Sequence, residues 1–398
     1  MPIKNWIKYR YKTRYFRKIR DYFHYLIGLI GTACLLPFQS TDSLSAKNIK
    51  RILLIRLDRI GDMVLTTPAF AAIRSAFPNA RITLLSRSYV KPLVISNPNL
   101  DQFIEYDRSF SFYAKIRVIG QLRLLRSELA IVLNTDFSSG LIAFLSGAKY
   151  RIGNNHKEAG FFFTTAVNDQ TRSGQIKHTV ESTLDLIRAL KVPMNEKKEL
   201  FVSITEEGEK YVVQFFKKHK LDDTDLIIAI HPGSRQPYIR WRKEGFAEVA
   251  DRLIEEYNAK VILIGGPGES QIINDVLSLM KYSSIVIDPP IKLTELVSLL
   301  NRCHLFIGNS TGTMHIAAAL KVPVVAIFGS KHPMDSYKKW SPWGEGHIVV
   351  SRDVGCLECH PGDCARDFEC MKLISADNVL KAVEKSNFLT DRTQINTD

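Results

Sequence analysis

Two successive series of short apolar runs, each run followed by a helix-compatible stretch, restrict this chain to one broad architecture. In the first half, apolar runs over 51–56, 81–85, 102–106 and 129–134 alternate with helical patterning over 64–77, 114–126 and 138–146. The second half repeats the alternation more cleanly, with LIIAI (226–230), KVILIG (260–265), SIVID (284–288), HLFIG (304–308) and VPVVAIFG (322–329) separated by helices expected near 244–257, 269–280, 293–302 and 312–320. Strands that alternate with helices predict parallel sheets covered on both faces. The fold class is therefore α/β, with two Rossmann-like domains, a cleft between them, and ligands beyond the carboxyl ends of the strands. A helical stretch over 178–192 closes the first half, and 193–225 is the expected hinge. At 398 residues the chain exceeds one ordinary core. The expected division is 1–48 as an appendage and linker, 49–200 and 201–385 as the two domains, and 386–398 as a tail.

The formal charge of +13 is unevenly placed. Residues 1–20 hold eight Lys or Arg and no acid, which leaves +5 for the other 378 residues. Basic character thus belongs to a terminal segment rather than to a nucleic-acid groove, and no nucleic-acid partner is expected. That segment interleaves its cations with Trp6, Tyr9, Tyr11, Tyr15 and Phe16 and leads into YLIGLIGTACLLPF (25–38). About 14 uncharged residues fall short of the roughly 20 needed to span a bilayer. The preferred reading is a basic, aromatic anchor (1–38) lying on an anionic leaflet, with a signal or spanning segment and a helix packed on the body as alternatives.

LLIRLDRIGDMVLTTPA (53–69) places an acid, Asp62, where a helix begins after a glycine turn. Such helix starts usually attract phosphate through bare amides, and a carboxylate would repel it. Two readings stay open for Asp62: a general base, or a helix cap. Asp58 is the nearest rival acid. In the second half, GNSTGTMHIAAAL (308–320) offers free amides, hydroxyls and the positive end of a helix dipole at Ser310, Thr311, Gly312 and Thr313. IHPGSRQPYIRW (230–241) supplies Gly233, Ser234, Arg235 and Arg240 for an anion, and Glu269 follows Gly265-Gly266 where it can accept from a ribose hydroxyl. All three stretches follow strands of one sheet. A Walker A motif and a well-placed GxGxxG are both missing, which speaks against an NTPase or a dinucleotide-dependent oxidoreductase.

The ordered motifs RLDRIGDMVLTTPA, HPGSRQPYIRWRKEGFAEVADRL, IGGPGE and GNSTGTMHIAAALKVPVVAIFGS resemble glycosyltransferase family 9, the lipopolysaccharide heptosyltransferases and their relatives, over roughly 50–385. The resemblance implies a GT-B fold with an acceptor domain first and a nucleotide-sugar donor domain second. It also implies inversion at the anomeric carbon without a bound metal, and ADP-heptose as the donor known for heptosyltransferase members. By motif, Asp62 matches the catalytic aspartate, Arg240 stands where a phosphate-binding lysine is usual, Glu269 falls near the ribose-binding acid, and Ser310 to His315 match the donor-phosphate segment. Arginine at 240, and Asn309-Ser310-Thr311 in place of Asn-Asp-Ser/Thr, depart from the pattern. The function expected is sugar transfer to a lipopolysaccharide-type or other surface-glycan acceptor on the cytoplasmic face of the membrane, with no cofactor beyond the donor. Alternatives are a nucleotide-sugar epimerase or hydrolase of the same architecture, and a silent nucleotide-sugar-binding scaffold.

Acceptor recognition is weakly encoded. Arg56 and Arg59 are the leading candidates, with Arg87, Lys149, Arg151, His156 and Lys157 behind them. GCLECHPGDCARDFECM (355–371) gathers Cys356, Cys359, Cys364 and Cys370; reduced thiols are preferred over a disulfide or a structural zinc site, because the last spacing departs from a zinc knuckle. Asp223-Thr224-Asp225 has the string of a metal-diphosphate pair but precedes its strand.

Overall fold

The computed structural model describes residues 49–155, 160–168, 176–287, 290–329, 331–332, 335–356, 359 and 364–386. The expected anchor (1–38), Cys34, His156, Lys157, His360 and the tail from 387 lie outside the described residues.

The first half is a six-stranded sheet of β1 (Arg51–Arg56), β2 (Arg81–Ser86), β3 (Gln102–Glu105), β4 (Leu129–Val132), β5 (Tyr150–Asn154) and β6 (Thr165–Val167). Its order is β3-β2-β1-β4-β5-β6, and every pairing is parallel. Helices α1 (Ile60–Ala76), α2 (Phe112–Leu124), α3 (Phe137–Leu145) and α4 (Thr179–Arg188) cover it. The second half has β7 (Ile227–His231), β8 (Lys260–Ile264), β9 (Ile285–Ile287), β10 (Leu305–Asn309), β11 (Val324–Phe328) and β12 (Ile348–Ser351) in the order β12-β11-β10-β7-β8-β9, also parallel throughout. Both sheets thus have the doubly wound 3-2-1-4-5-6 arrangement of a Rossmann unit. Their helices are α5 (Glu206–His219), α6 (Lys243–Tyr257), α7 (Ser270–Leu277), α8 (Leu293–Asn301), α9 (Gly312–Ala319), α10 (Tyr337–Trp340), α11 (Glu369–Lys372) and α12 (Ala376–Lys385).

The expected alternation is present; β5, β6 and β12 extend the two sheets beyond the expected strands, and two further differences concern helices. The hinge expected over 193–225 contains α5, capped by Thr205 Oγ1 accepting from the Gly208 amide at 3.1 Å, and α5 packs on α8. Its polar, Lys- and Glu-rich outer face gives it the composition of a linker, while Val212 and Phe215 bury its inner face. In addition, α1 begins at Ile60 rather than 64, because Asp62 in its first turn accepts the Arg59 amide and extends the helix back to the glycine turn.

Three buried clusters organise the packing. One lies on the outer face of the first sheet and includes Leu53, Ile55, Val118 and Leu122; another covers one face of the second sheet and includes Ile228, Phe246 and Val379. The third runs without interruption from Met63, Val64 and Leu184 in the first half to Leu299, Met314 and Ile316 in the second. The halves therefore share a core along this flank.

Candidate active site

Strand β1 ends at Arg56, and α1 starts four residues later. This brings Asp58 and Asp62 to the carboxyl end of the sheet. Asp62 Oδ2 accepts from the Arg59 amide at 3.3 Å, and Oδ1 accepts from Arg56 Nη2 at 3.2 Å. Its side chain keeps 22% exposure. That exposed edge lines a cavity of about 200 Å³ whose walls include Asp58, Asn134, Asn154 and Lys177 from the first half and Lys339 and Trp340 from the second. The capping contact and the outlook into the cavity coexist, so the two sequence readings of Asp62 are not exclusive. Burial pushes the Asp58 carboxyl up, Arg56 opposes this, and the charges of Asp62 and Asp136 add to the rise.

The structure separates the two acceptor-side arginines. Arg56 is 5% exposed, donates to the Leu133 carbonyl and to Asp62, and lies 3.6 Å from Asp58. Arg59 points outward and is near enough to Arg235 of the second half to disfavour its charge, second only to burial; Asp335 and Asp62 act in the opposite sense. Arg151 is buried, donating to Phe162 O at 2.6 Å and Ala148 O at 2.7 Å, and so ties β5 to its neighbours rather than facing solvent.

On the second sheet, the ends of β7, β8 and β10 meet. His231 Nε2 lies 2.9 Å from Glu269 Oε2, and His231 Nδ1 lies 3.3 Å from Thr311 Oγ1. Glu269 Oε2 also accepts from the Gly266 amide at 2.7 Å. Burial alone would raise the Glu269 carboxyl, but these hydrogen bonds and the charge of Arg240 outweigh it and hold the group below its usual range. The carboxylate occupies the place of a side chain at Gly233, where a Cβ would stand 2.2 Å from Oε2. Fully buried Asn309 joins the loop to the strand end: Nδ2 donates to Pro232 O at 2.8 Å and Gly233 O at 3.2 Å, and Oδ1 accepts from the Trp241 amide at 2.9 Å. Arg240 Nε donates to the Ser234 carbonyl at 2.5 Å. Thr311 caps α9 by accepting from the Met314 amide at 3.4 Å, and Ser310, Gly312 and Thr313 are half-buried beside it. His231 and Asn309 were not among the expected site residues. Their position at two strand ends was the available signal, and burial hides their role from the sequence.

His315 lies apart from this row. It is 3% exposed, packs 6.5 Å from the Trp340 ring, and its Cδ2 would stand 2.7 Å from a Cβ on Gly61. Gly312 in turn faces the Ile60 side chain and the Gly61 amide, so the amino ends of α1 and α9 meet directly. Burial pushes the His315 imidazole down to about 3 and His347 down to about 4, and a buried Nδ1 on each has no hydrogen-bond partner among the described residues. Nearby, Thr179 Oγ1 donates to Lys339 O at 3.0 Å, His178 Nε2 lies 2.9 Å from Ser341 O, and Trp343 Nε1 donates to Lys198 O at 2.8 Å. These bonds fix the cavity wall that carries Lys339 and Trp340.

Two secondary motifs lie away from this row. Burial and the sulfurs of Cys364, Cys359 and Cys356 raise the Cys370 thiol, which places the four cysteines in one neighbourhood. Among the described residues, however, no group of three or more His, Cys, Asp or Glu is disposed to hold a metal ion. Asp223-Thr224-Asp225 sits in a turn at the amino end of β7, away from the strand ends that gather the site, with Asp222 Oδ1 accepting from the Thr224 amide at 2.8 Å.

The family model described as glycosyltransferase family 9 (heptosyltransferase) matches residues 116–367. Lipopolysaccharide heptosyltransferase 2 of Escherichia coli K12 is 26% identical over 338 residues, covering 80% of this chain and 92% of that protein. Among solved structures, a glycosyl transferase family 9 protein from Veillonella parvula superposes with a TM-score of 0.75 at 24% identity, covering 88% of this chain and 100% of the other. The ADP-heptose lipopolysaccharide heptosyltransferase II of E. coli gives 0.70 at 22% identity, covering 86% and 99%. These likenesses establish the GT-B fold.

Proposed function

The chain belongs to glycosyltransferase family 9 and is a glycosyltransferase, and from that premise we propose that it moves a heptose from ADP-heptose onto a lipopolysaccharide-type or other surface-glycan acceptor, inverting the anomeric centre, with Asp62 as general base. The observation that carries this reading is the placement of Asp62: an acid of the first half, 22% exposed, in a cavity whose far wall is Lys339 and Trp340 of the second half. In this reading the acceptor hydroxyl enters the cavity and passes its proton to Asp62 as its oxygen attacks the anomeric carbon. The diphosphate leaves on the opposite side. Arg56 donates to the carboxylate and sets its direction.

The leaving diphosphate meets Ser310, Thr311, Gly312 and Thr313 at the positive end of α9, with Arg240 and Arg235 supplying charge and no metal required. An anion seated between Arg59 and Arg235 would relieve the repulsion those two groups exert across the cleft. Glu269, kept ionised by His231 and Gly266, accepts from a ribose hydroxyl. The anchor at 1–38 holds the enzyme on the cytoplasmic face of the membrane, where a lipid-linked acceptor is concentrated.

The test is Asp62→Asn. Loss of the base lowers turnover by roughly 10²-fold or more, while calorimetric affinity for ADP-heptose stays near that of the parent. Equal turnover, or loss confined to donor affinity, would remove Asp62 from the role.

A further inference from the structure

Helix α2 is inverted relative to an ordinary surface helix. Val118 and Leu122 bury one narrow side against the outer face of the first sheet. The opposite side carries the three most exposed large apolar side chains among the described residues, Tyr113 at 83%, Leu124 at 81% and Phe112 at 73%, with Ile116 at 52% between them. Positions 112, 113, 116, 117, 120, 123 and 124 are all exposed and follow helical spacing, so they form one stripe. Single exposed apolar residues need no explanation, but a continuous stripe does.

Charge selects the occupant. From 108 to 127 the chain holds five Lys or Arg and no acid, and Arg117 and Arg123 lie within the stripe itself. Aromatic and aliphatic groups interleaved with cations fit an anionic bilayer surface, where rings enter the headgroup boundary and guanidinium groups stay at the phosphates. The cationic segment at 1–20 would be repelled by the same charges, so it is not the occupant. We propose that α2 is a second membrane contact, built into the first domain and independent of residues 1–38. Because β3 and β1 are parallel, the amino end of α2, with Phe112 and Tyr113, stands at the same end of the sheet as Asp62. Arg108, four residues before that end, pairs with Asp136 at 3.4 Å, and both act on Asp58 in the cavity. A helix lying on the bilayer would therefore bring the cavity mouth toward the lipid surface from which a lipid-linked sugar enters.

The experiment uses the full chain and needs neither donor nor acceptor, so its failure is separate from failure of the transferase reading. Amide hydrogen exchange is followed with phosphatidylglycerol vesicles, with phosphatidylcholine vesicles and without lipid, for the parent and for the double variant F112S/Y113S. Exchange over 108–126 is expected to slow at least about threefold on the anionic vesicles only, and the slowing is lost in the variant. No slowing in the parent overturns the proposal even where residues 1–38 keep the chain on the vesicles. Slowing that persists in the variant also overturns it. Slowing that follows protein concentration without lipid assigns the stripe to a second copy of the chain instead.

Discussion

Replacing Gly61 by alanine tests whether the amino ends of α1 and α9 must touch for Asp62 to face the donor side. The added Cβ would lie 2.7 Å from His315 Cδ2 and 3.5 Å from Gly312 Cα; ordinary contact begins at 3.4 Å, so the histidine must give about 0.7 Å. His315 is buried at 3% exposure, against the shared core and Trp340, and has no open space to swing into. The displacement therefore passes to the two helices. Overpacking of this kind costs roughly 1–3 kcal/mol, a few degrees in a thermal melt for a chain of this size. Asp62 is the next residue, and a misplacement near 1 Å costs about 10² in a positioned reaction, so turnover is expected to fall about ten- to hundredfold while donor affinity changes less. Thermal melts and steady-state rates are measured for G61A, H315A and the double variant. Removing the imidazole relieves the clash, so the double variant should be more stable than the two single losses predict, by about 1 kcal/mol or more. Additive losses, or a G61A protein that melts and turns over like the parent, would refute the contact as the cause.

Three further outcomes are expected. Arg240→Ala weakens ADP binding by about tenfold or more in calorimetry, and Arg240→Lys restores most of it by returning a charge at the phosphate, although the bond to Ser234 O is lost. Gly233→Ala drives the Glu269 carboxylate away from His231, because a Cβ would stand 2.2 Å from Oε2; nucleotide affinity falls while thermal stability changes by only about 1–3 kcal/mol. His315 and His347 are held neutral by burial, so their contribution to stability is complete above the ordinary histidine value of 6.5 and is lost as pH falls toward about 3 and about 4. The unfolded chain binds the extra protons in that window, and each residue contributes a slope of up to about 1.4 kcal/mol per pH unit. Urea midpoints at pH 7 and pH 5 measure the loss, and His315→Asn should flatten the difference.

The placement of Asp62, Glu269 and the Ser310 to Thr313 turn beyond strand ends was legible in the sequence because each lies within a few residues of an apolar run, and strand ends are where a doubly wound fold gathers its ligands. His231 follows the same rule but reads as an ordinary strand end, since nothing local reveals that Glu269 and Thr311 converge on its two nitrogens. Arg56 and Arg59 look alike in sequence. In the structure one is buried against Leu133 and Asp62, and the other faces Arg235.

The sequence by itself determined that the chain forms two parallel sheets flanked by helices and which turns follow their central strands, because apolar periodicity and glycine placement act over a few residues. It also carried the family motifs in order. Tertiary structure alone decided that Lys339 and Trp340 wall the cavity of Asp62, that His315 seals the joint at Gly61, and that α2 turns its apolar stripe outward. Each of these depends on which surfaces meet after the chain has folded back over hundreds of residues. Burial and long-range packing set those meetings, and no local pattern encodes them.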